Sequence, residues 1–216
     1  MSVPDTYQAV LDHIFASYMQ VKPSHAGKYD REFRDPAMLI RLAGELGILP
    51  DRDKTIRVTG SKGKGTTSRM LARYLTALRA DEKVGLLVSP EEFEHTDRMQ
   101  INGVAIDTAS FIRIYRTLVP HLTSVMADAG ADSYLSPSGL FMLVALRWFK
   151  EQNIDHYVLE TGRGAKFDEV GHIPSKVTVI TSIFLEHAAN LGPTLEDIAR
   201  DKLSVAASSG SLVCPT

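Results

Sequence analysis

The chain has 216 residues, of which 44% are hydrophobic and 23% charged, enough for the buried core of a globular protein. Its 26 acidic residues slightly outnumber its 24 lysines and arginines, for a formal net charge of -2, which argues against a nucleic-acid backbone as the main partner. No run approaches the roughly 18 apolar residues of a membrane span, and no signal peptide is visible, so we expect a cytoplasmic protein with no membrane partner. A single cysteine, Cys214, excludes an intrachain disulfide.

The first 50 residues have the pattern of a small helical segment. Apolar residues at helical spacing predict a helix over residues 5–19. A second helix follows, with Asp35 as N-cap, Pro36 at its first position and Gly47 as its stop. The polar stretch 22–34 between the two helices is predicted to be a loop.

From residue 51 onward, short β-rich runs alternate with amphipathic helices. Strands are predicted at 55–59, 84–88, 156–159 and 177–183, and helices at 66–78, 108–126 and 138–150. A last helix begins at Thr194 with Asp197 as capping-box partner, and Asn102-Gly103 suits the type I′ turn of a hairpin over 98–106. The alternation predicts an α/β fold, with a mostly parallel, doubly wound P-loop sheet flanked by helices in a domain over 51–216.

A glycine-rich turn between the first strand and its helix is the sharpest motif. We expect its residues to bind phosphate groups: Gly60, Ser61, Lys62, Gly63, Lys64, Gly65, Thr66 and Thr67. The fit to GxxxxGK[ST] is imperfect, because Val58 stands where the first glycine should be and Gly65 follows the lysine. The alternative interpretation is a flexible Gly/Lys turn that opens a helix. The glycine spacing does not fit the GxGxxG of dinucleotide folds.

Three polar residues stand at or just beyond predicted strand ends, at the edge where ligands bind in open α/β sheets. They are Ser89, Glu160 and His187, and oxygen ligands such as Glu160 suit Mg²⁺. Taken singly, each also has an ordinary interpretation: a turn-forming serine, a solvated glutamate and a structural histidine. Their shared location favours a metal site.

Lys202 shares a helical stripe with Leu195 and Ile198. Periodicity alone favours a snorkelling lysine whose amine reaches water. The alternative is an active-site group that points towards the strand ends.

Beyond these single features, six segments in chain order resemble the folylpolyglutamate synthases of the Mur ligase superfamily. VTGSKGKGTT at 58–67 resembles the family's GTNGKGS/T loop, including the glycine after the lysine. The other segments are VGLLVSP at 84–90, DRMQING at 97–103, LETGRGAKFD at 159–168, VITSI with EH and LG between 179 and 192, and the helix from 194 to 202.

The resemblance implies an ATP-dependent, ADP-forming ligase that phosphorylates a small carboxylate and joins it to an amine, by family default glutamate. It implies that Lys64 acts on the terminal phosphates, that Thr66 lies near the metal, and that Ser89, Glu160 and His187 ligate or orient one or two Mg²⁺. It also implies a carbamate on Lys202 that serves as a metal ligand. Lys64, His187 and Lys202 are thus the implied catalytic residues.

The chain departs from the family pattern at four positions near the implied substrate site: Glu91, Lys166, Gly171 and Glu186. The family also continues beyond the part matched here, so the ATP-binding domain is expected to be truncated at its C-terminal end and this chain alone to be inactive. Two alternatives stay open. One is a nucleotide-binding half that needs a C-terminal domain or a separate partner chain, and the other is a P-loop phosphotransferase or NTPase.

Overall fold

A computed structural model describes residues 3–127 and 133–215. Within these residues seven strands form one sheet: β1 Thr55–Thr59, β2 Val84–Leu87, β3 Met99–Ile101, β4 Val104–Ala105, β5 His156–Glu160, β6 Ser175–Ile180 and β7 Ser209–Val213. The α-helices are α1 Tyr7–Val21, α2 Ala37–Glu45, α3 Lys64–Leu78, α4 Thr108–Ala127, α5 Pro137–Glu151, α6 Ala188–Leu191 and α7 Leu195–Leu203.

The strand order is β4-β3-β2-β5-β1-β6-β7. β2, β5, β1, β6 and β7 run parallel, while β3 and β4 add antiparallel at one edge. β1 is the central strand of the five parallel ones, with Ile56 opposite Val158 of β5 and Val177 of β6. The prediction of an α/β fold with a mostly parallel sheet is therefore confirmed. The loop after β1 emerges in the middle of the sheet, where chain connections diverge to either side.

Helices cover both faces of this sheet. On one face α3 packs over a small cluster that includes Val58, Leu86 and Val158. On the other face α1, α2, α4 and α5 share a large hydrophobic cluster, to which the fully buried run from Met142 to Leu146 in α5 contributes. Helices from the first 50 residues thus pack into the same core as α4 and α5. The boundary at residue 50 remains a prediction.

Local sequence signals placed most element ends within a few residues. The hairpin turn has positive φ at Asn102 (49°) and Gly103 (82°), as the type I′ turn requires. Thr194 caps α7 in the expected capping box with Asp197. The stretch expected to be a loop, 22–34, contains two short 3₁₀ turns.

One strand, β7, was not predicted. Its Ser-Gly-Ser start has low β-propensity and its side chains are mostly exposed, so no alternating pattern marks it. It forms because β6 offers it a partner, with Thr178 opposite Leu212. Among the described residues, no helix has both the length and the apolar character needed to cross a membrane.

Candidate nucleotide-binding site

The loop that joins β1 to α3 has a backbone conformation that glycine adopts most easily. The φ angle is 135° at Gly60 and 81° at Gly63. A Cβ atom on Gly60 would collide with the hydroxyl of Thr181 and lie 2.9 Å from its backbone nitrogen. The Ser61 N–H donates to the carbonyl of Ser182 at 2.7 Å. The loop is therefore held tightly against the segment that follows β6.

Helix α3 begins directly after this loop, two residues earlier than predicted. Its N-cap residue is Gly63, so no side chain accepts hydrogen bonds from the first N–H groups of the helix. These groups, with the positive end of the helix dipole, can therefore bind an anion. Lys64 is the first helical residue, and its Nζ donates to the Gly60 carbonyl at 3.1 Å. Burial lowers the pKa of Lys64, and the charge of Lys202 lowers it further. An anion at the loop would thus meet both N–H donors and a partly desolvated ammonium.

A cavity of about 520 Å³ opens over the loop and the start of α3. It brings together several of the predicted residues, because the ends of β2 and β5 reach the same edge of the sheet. Its lining consists of Ser61, Lys62, Gly63, Lys64, Gly65, Thr66, Arg69, Met70, Ser89, Pro90, Glu91, Glu92 and Glu160. Gly60 and Thr67 flank this run; the Thr67 N–H is already bonded to the Gly63 carbonyl at 2.9 Å.

Glu160 is the buried carboxylate of this cavity. It ends β5, is 3% exposed, and accepts a hydrogen bond from the Ser89 N–H at 3.3 Å. Burial raises the pKa of Glu160 to about 7, against the opposing effects of the Ser89 N–H and the charges of Lys64 and Arg69. The neighbouring N–H group and cations thus do not fully compensate the Glu160 carboxylate for its lost hydration. This is expected of a carboxylate whose site suits a cation.

His187 is not placed with this group. β6 ends at Ile180, three residues earlier than predicted, and the histidine lies seven residues further on. Its side chain is 47% exposed, its Nε2 is 3.9 Å from a carboxylate oxygen of Glu186, and it is not among the residues that line the cavity. Three or more His, Cys, Asp or Glu side chains do not converge on a possible metal position anywhere in ranges 3–127 and 133–215. Of the three carboxylates that line the cavity, Glu91 is paired with Arg98 and Glu92 with Arg69. Glu160 and the nearby hydroxyls of Ser89 and Thr66 are the hard donors that fit a Mg²⁺ that takes its other ligands from phosphate and water.

Lys202 is completely buried, so the interpretation of a snorkelling lysine is wrong. Its Nζ donates to the Gly60 carbonyl at 2.8 Å and lies 2.9 Å from Oε1 of Glu186. The lysine therefore sits behind the phosphate loop, on the side held by α7.

A network of buried charges adjoins the cavity and was missed by sequence analysis. Arg34 lies 3.4 Å from Oε2 of Glu169, and Asp30 accepts a hydrogen bond from Nε of Arg163 at 3.0 Å. Burial, together with the charge of Glu169, raises the pKa of Asp168 to about 7. These residues come from a polar loop and from a turn more than 120 positions away, and no periodicity marks them. The only local signal was the LETGRGAKFD segment, which contains Arg163 and Asp168.

This network forms a wall beyond Ser89 and Glu160. A void of only about 20 Å³ separates the two groups, and Asp168 and Glu169 line it. On this side of Glu160, away from the large cavity, the structure therefore leaves almost no free space.

Comparison with known proteins identifies the relatives of this arrangement. No family profile matches the chain. The chain is 34% identical over 168 residues to the dihydrofolate synthase/folylpolyglutamate synthase of Escherichia coli K12, covering 76% of this chain and 36% of that protein. It is also 34% identical over 151 residues to a probable bifunctional folylpolyglutamate synthase/dihydropteroate synthase of Halobacterium salinarum, covering 70% of this chain and 18% of that protein.

Solved structures give the same result. Mycobacterium tuberculosis folylpolyglutamate synthase complexed with ADP superposes with a TM-score of 0.73 at 27% identity, over 89% of this chain and 42% of that one. The E. coli FolC complex with DHPP and ADP superposes with a TM-score of 0.69 at 28% identity, over 82% of this chain and 46% of that one. The chain thus spans less than half the length of these relatives. In sequence and in fold it is a folylpolyglutamate synthase-like protein, matching the N-terminal part of these enzymes.

Proposed function

We propose that this chain provides the ATP-binding part of a ligase that forms C–N bonds and releases ADP. The carboxylate substrate would be activated as an acyl phosphate and then joined to an amine, with glutamate or another amino acid as donor. The observation that carries the proposal is the shared cavity, in which the glycine-rich loop and the start of α3 face Ser89 and Glu160. Relatives that were solved with ADP support it.

The loop would bind the phosphate chain through its backbone N–H groups and the N-terminus of α3. Lys64 donates to the Gly60 carbonyl in this structure, and its flexible side chain would direct the ammonium to the terminal phosphate when a nucleotide binds. The ammonium would stabilise the charge that spreads over the phosphoryl oxygens during transfer. Positioning and charge stabilisation would be the main contributions of these residues.

Mg²⁺, as one ion or two, would neutralise phosphate charge when bound, and the cavity offers Glu160, Ser89 and Thr66 to hold it. His187 remains a predicted ligand or orienting group. The segment between β6 and α6 would have to move to bring its side chain to the cavity. A carbamate on Lys202 also remains a prediction.

The binding of ATP is tested by replacing Lys64. We expect Lys64→Ala to weaken MgATP binding by at least about tenfold, measured by calorimetry, because the cation of the loop is lost. Lys150→Ala, an exposed lysine of α5 far from the loop in sequence, is the matched control and should bind as the wild type does. Equal affinity of Lys64→Ala and wild type would refute the assignment of the phosphate loop.

Turnover separates the ligase from the two alternatives. A ligase releases ADP only when carboxylate and amine are both present. A nucleotide-binding half would bind ATP and release ADP only after a C-terminal domain or partner chain is added; the chain covers 36% of the E. coli relative. A phosphotransferase or NTPase would release ADP without an amine.

A further inference from the structure

A second cavity lies between helices α1 and α4 and shares no lining residue with the nucleotide cavity. Its volume is about 220 Å³. From α1 it is lined by His13, Ala16, Ser17 and Gln20, which have the i, i+3, i+4, i+7 spacing of one helical face. Because Ala16 and Ser17 are small, this face of α1 leaves a gap where bulkier side chains would meet α4.

The floor of this cavity is apolar and buried. Val119 and Leu122 of α4 line it, as does Leu140 of α5, and each of the three is less than 10% exposed. Two further lining residues, Gln20 and Thr123, are exposed, so they belong to its rim. A concave apolar space with a few polar groups is the usual form of a site for a small molecule.

One hydrogen-bonded pair supplies polar atoms to this apolar space. Nδ1 of His13 and the hydroxyl of Tyr115 are 2.7 Å apart, and the two rings meet edge to face with their centroids 5.7 Å apart. Both side chains line the cavity. Because the tyrosine occupies Nδ1, Nε2 is the ring nitrogen that remains for a ligand, and among the described residues it has no hydrogen-bond partner.

The chemistry of the lining disfavours a charged ligand. None of the residues that line the cavity, within the described ranges, is a lysine, arginine, aspartate or glutamate. Burial lowers the pKa of His13 below its usual value, so its imidazole is mostly neutral at pH 7. Burial also raises the pKa of Tyr115, so its hydroxyl stays protonated. An ionised group would therefore lose its hydration here without gaining an opposite charge.

We propose that the cavity between α1 and α4 binds a small, uncharged aromatic molecule that carries one N–H or O–H group. An engineered apolar cavity of roughly 150 Å³ holds benzene, and at the same volume per atom 220 Å³ holds about nine non-hydrogen atoms. This is the size of indole or of a phenol with a short substituent. The apolar walls pack against the ring, and the N–H or O–H donates to Nε2 of His13 while Nδ1–H donates to the Tyr115 oxygen.

Indole is the first probe, and benzofuran, which has the same fused-ring shape with no N–H donor, is its matched control ligand. We expect saturable binding of indole to the full chain with a dissociation constant below about 1 mM, measured by titration in NMR. Benzofuran should bind about fivefold more weakly, since it forgoes one hydrogen bond. The Nε2 resonance of His13 should shift with indole. Absence of saturable indole binding up to about 5 mM would overturn the proposal.

Two variants place the bound ligand in the cavity, and neither readout involves a nucleotide. Ala16→Leu fills the gap and should weaken indole binding at least about tenfold, whereas Ala77→Leu on the exposed face of α3 should bind as the wild type does. Because a larger side chain could also disturb α1, the second variant combines His13→Phe with Tyr115→Phe, which keeps both rings and removes both polar partners. This variant should bind indole and benzofuran equally. Unchanged indole binding in Ala16→Leu, or a retained preference for indole in the double variant, would contradict the proposed site.

Discussion

Replacing Arg57 by methionine should strongly destabilise the fold, although the change keeps the residue buried and of similar length. Arg57 lies in the middle of β1, two residues before the end of the strand, and is 0% exposed. All of its hydrogen-bond partners among the described residues are neutral. They are the carbonyls of Gly171, Ile173 and Val205 and the hydroxyls of Thr178, Ser208 and Ser209.

The magnitude follows from two opposing effects. Burial lowers the pKa of Arg57 from its usual value to about 10, so methionine would recover about 3 kcal/mol of desolvation cost. Against this, three carbonyls would lose a charged donor, at about 1–3 kcal/mol for each acceptor left unsatisfied. The hydroxyl partners would lose theirs as well. We therefore expect a net loss of about 2–4 kcal/mol in the free energy of unfolding.

Urea denaturation followed by circular dichroism measures this loss. Arg41→Met is the matched control, because Arg41 is 71% exposed on α2 and its Nε is 3.9 Å from Glu45. The control should change the free energy of unfolding by less than about 0.5 kcal/mol. Arg57→Lys should lose an amount of unfolding free energy between those of the two variants, since an ammonium keeps the charge but reaches fewer of the partners. If Arg57→Met is as stable as the control, the buried guanidinium does not hold the turn after β5 and the segment after α7 to β1.

Three further substitutions test the site and its supports. In metal-free buffer, burial raises the pKa of Glu160 from 4.5 to about 7, so the folded state holds this proton more tightly than the unfolded state. The wild type should then lose stability between pH 4.5 and 7 relative to Glu160→Gln, up to about 3 kcal/mol by thermal unfolding at pH 8. Mg²⁺ at pH 8 should stabilise the wild type and not Glu160→Gln, and an equal response of both would exclude Glu160 as a metal ligand. Gly60→Ala should abolish MgATP binding in calorimetry, because its φ of 135° and the contact with Thr181 leave no room for a Cβ atom; retained binding would show that the loop can shift without loss. Thr194→Ala should lower the free energy of unfolding by about 1 kcal/mol in urea denaturation, because it removes the N-cap of α7. The Thr194 hydroxyl accepts from the Asp197 N–H at 3.1 Å. An unchanged urea midpoint would contradict this role.

Much of the fold and part of the site could be predicted from local sequence. The Asn102-Gly103 turn, the capping box at Thr194 and the glycine-rich turn before Lys64 depend on the conformational preferences of neighbouring residues, and the structure has each of them. Parallel strand ends meet at one edge, so the meeting of Ser89 and Glu160 with the loop was also foreseeable.

What the sequence by itself determined is thus the order of elements, the turns between them and the edge at which a ligand would bind. Tertiary structure alone decided which distant groups meet: Lys202 with Gly60 across 142 positions, and Arg57 with Val205 across 148. It also left His187 outside the cavity and added β7 to the sheet. The physical reason is that capping and turn preferences act over a few residues. The partner of a buried charge, by contrast, depends on how whole elements pack, which no local pattern encodes.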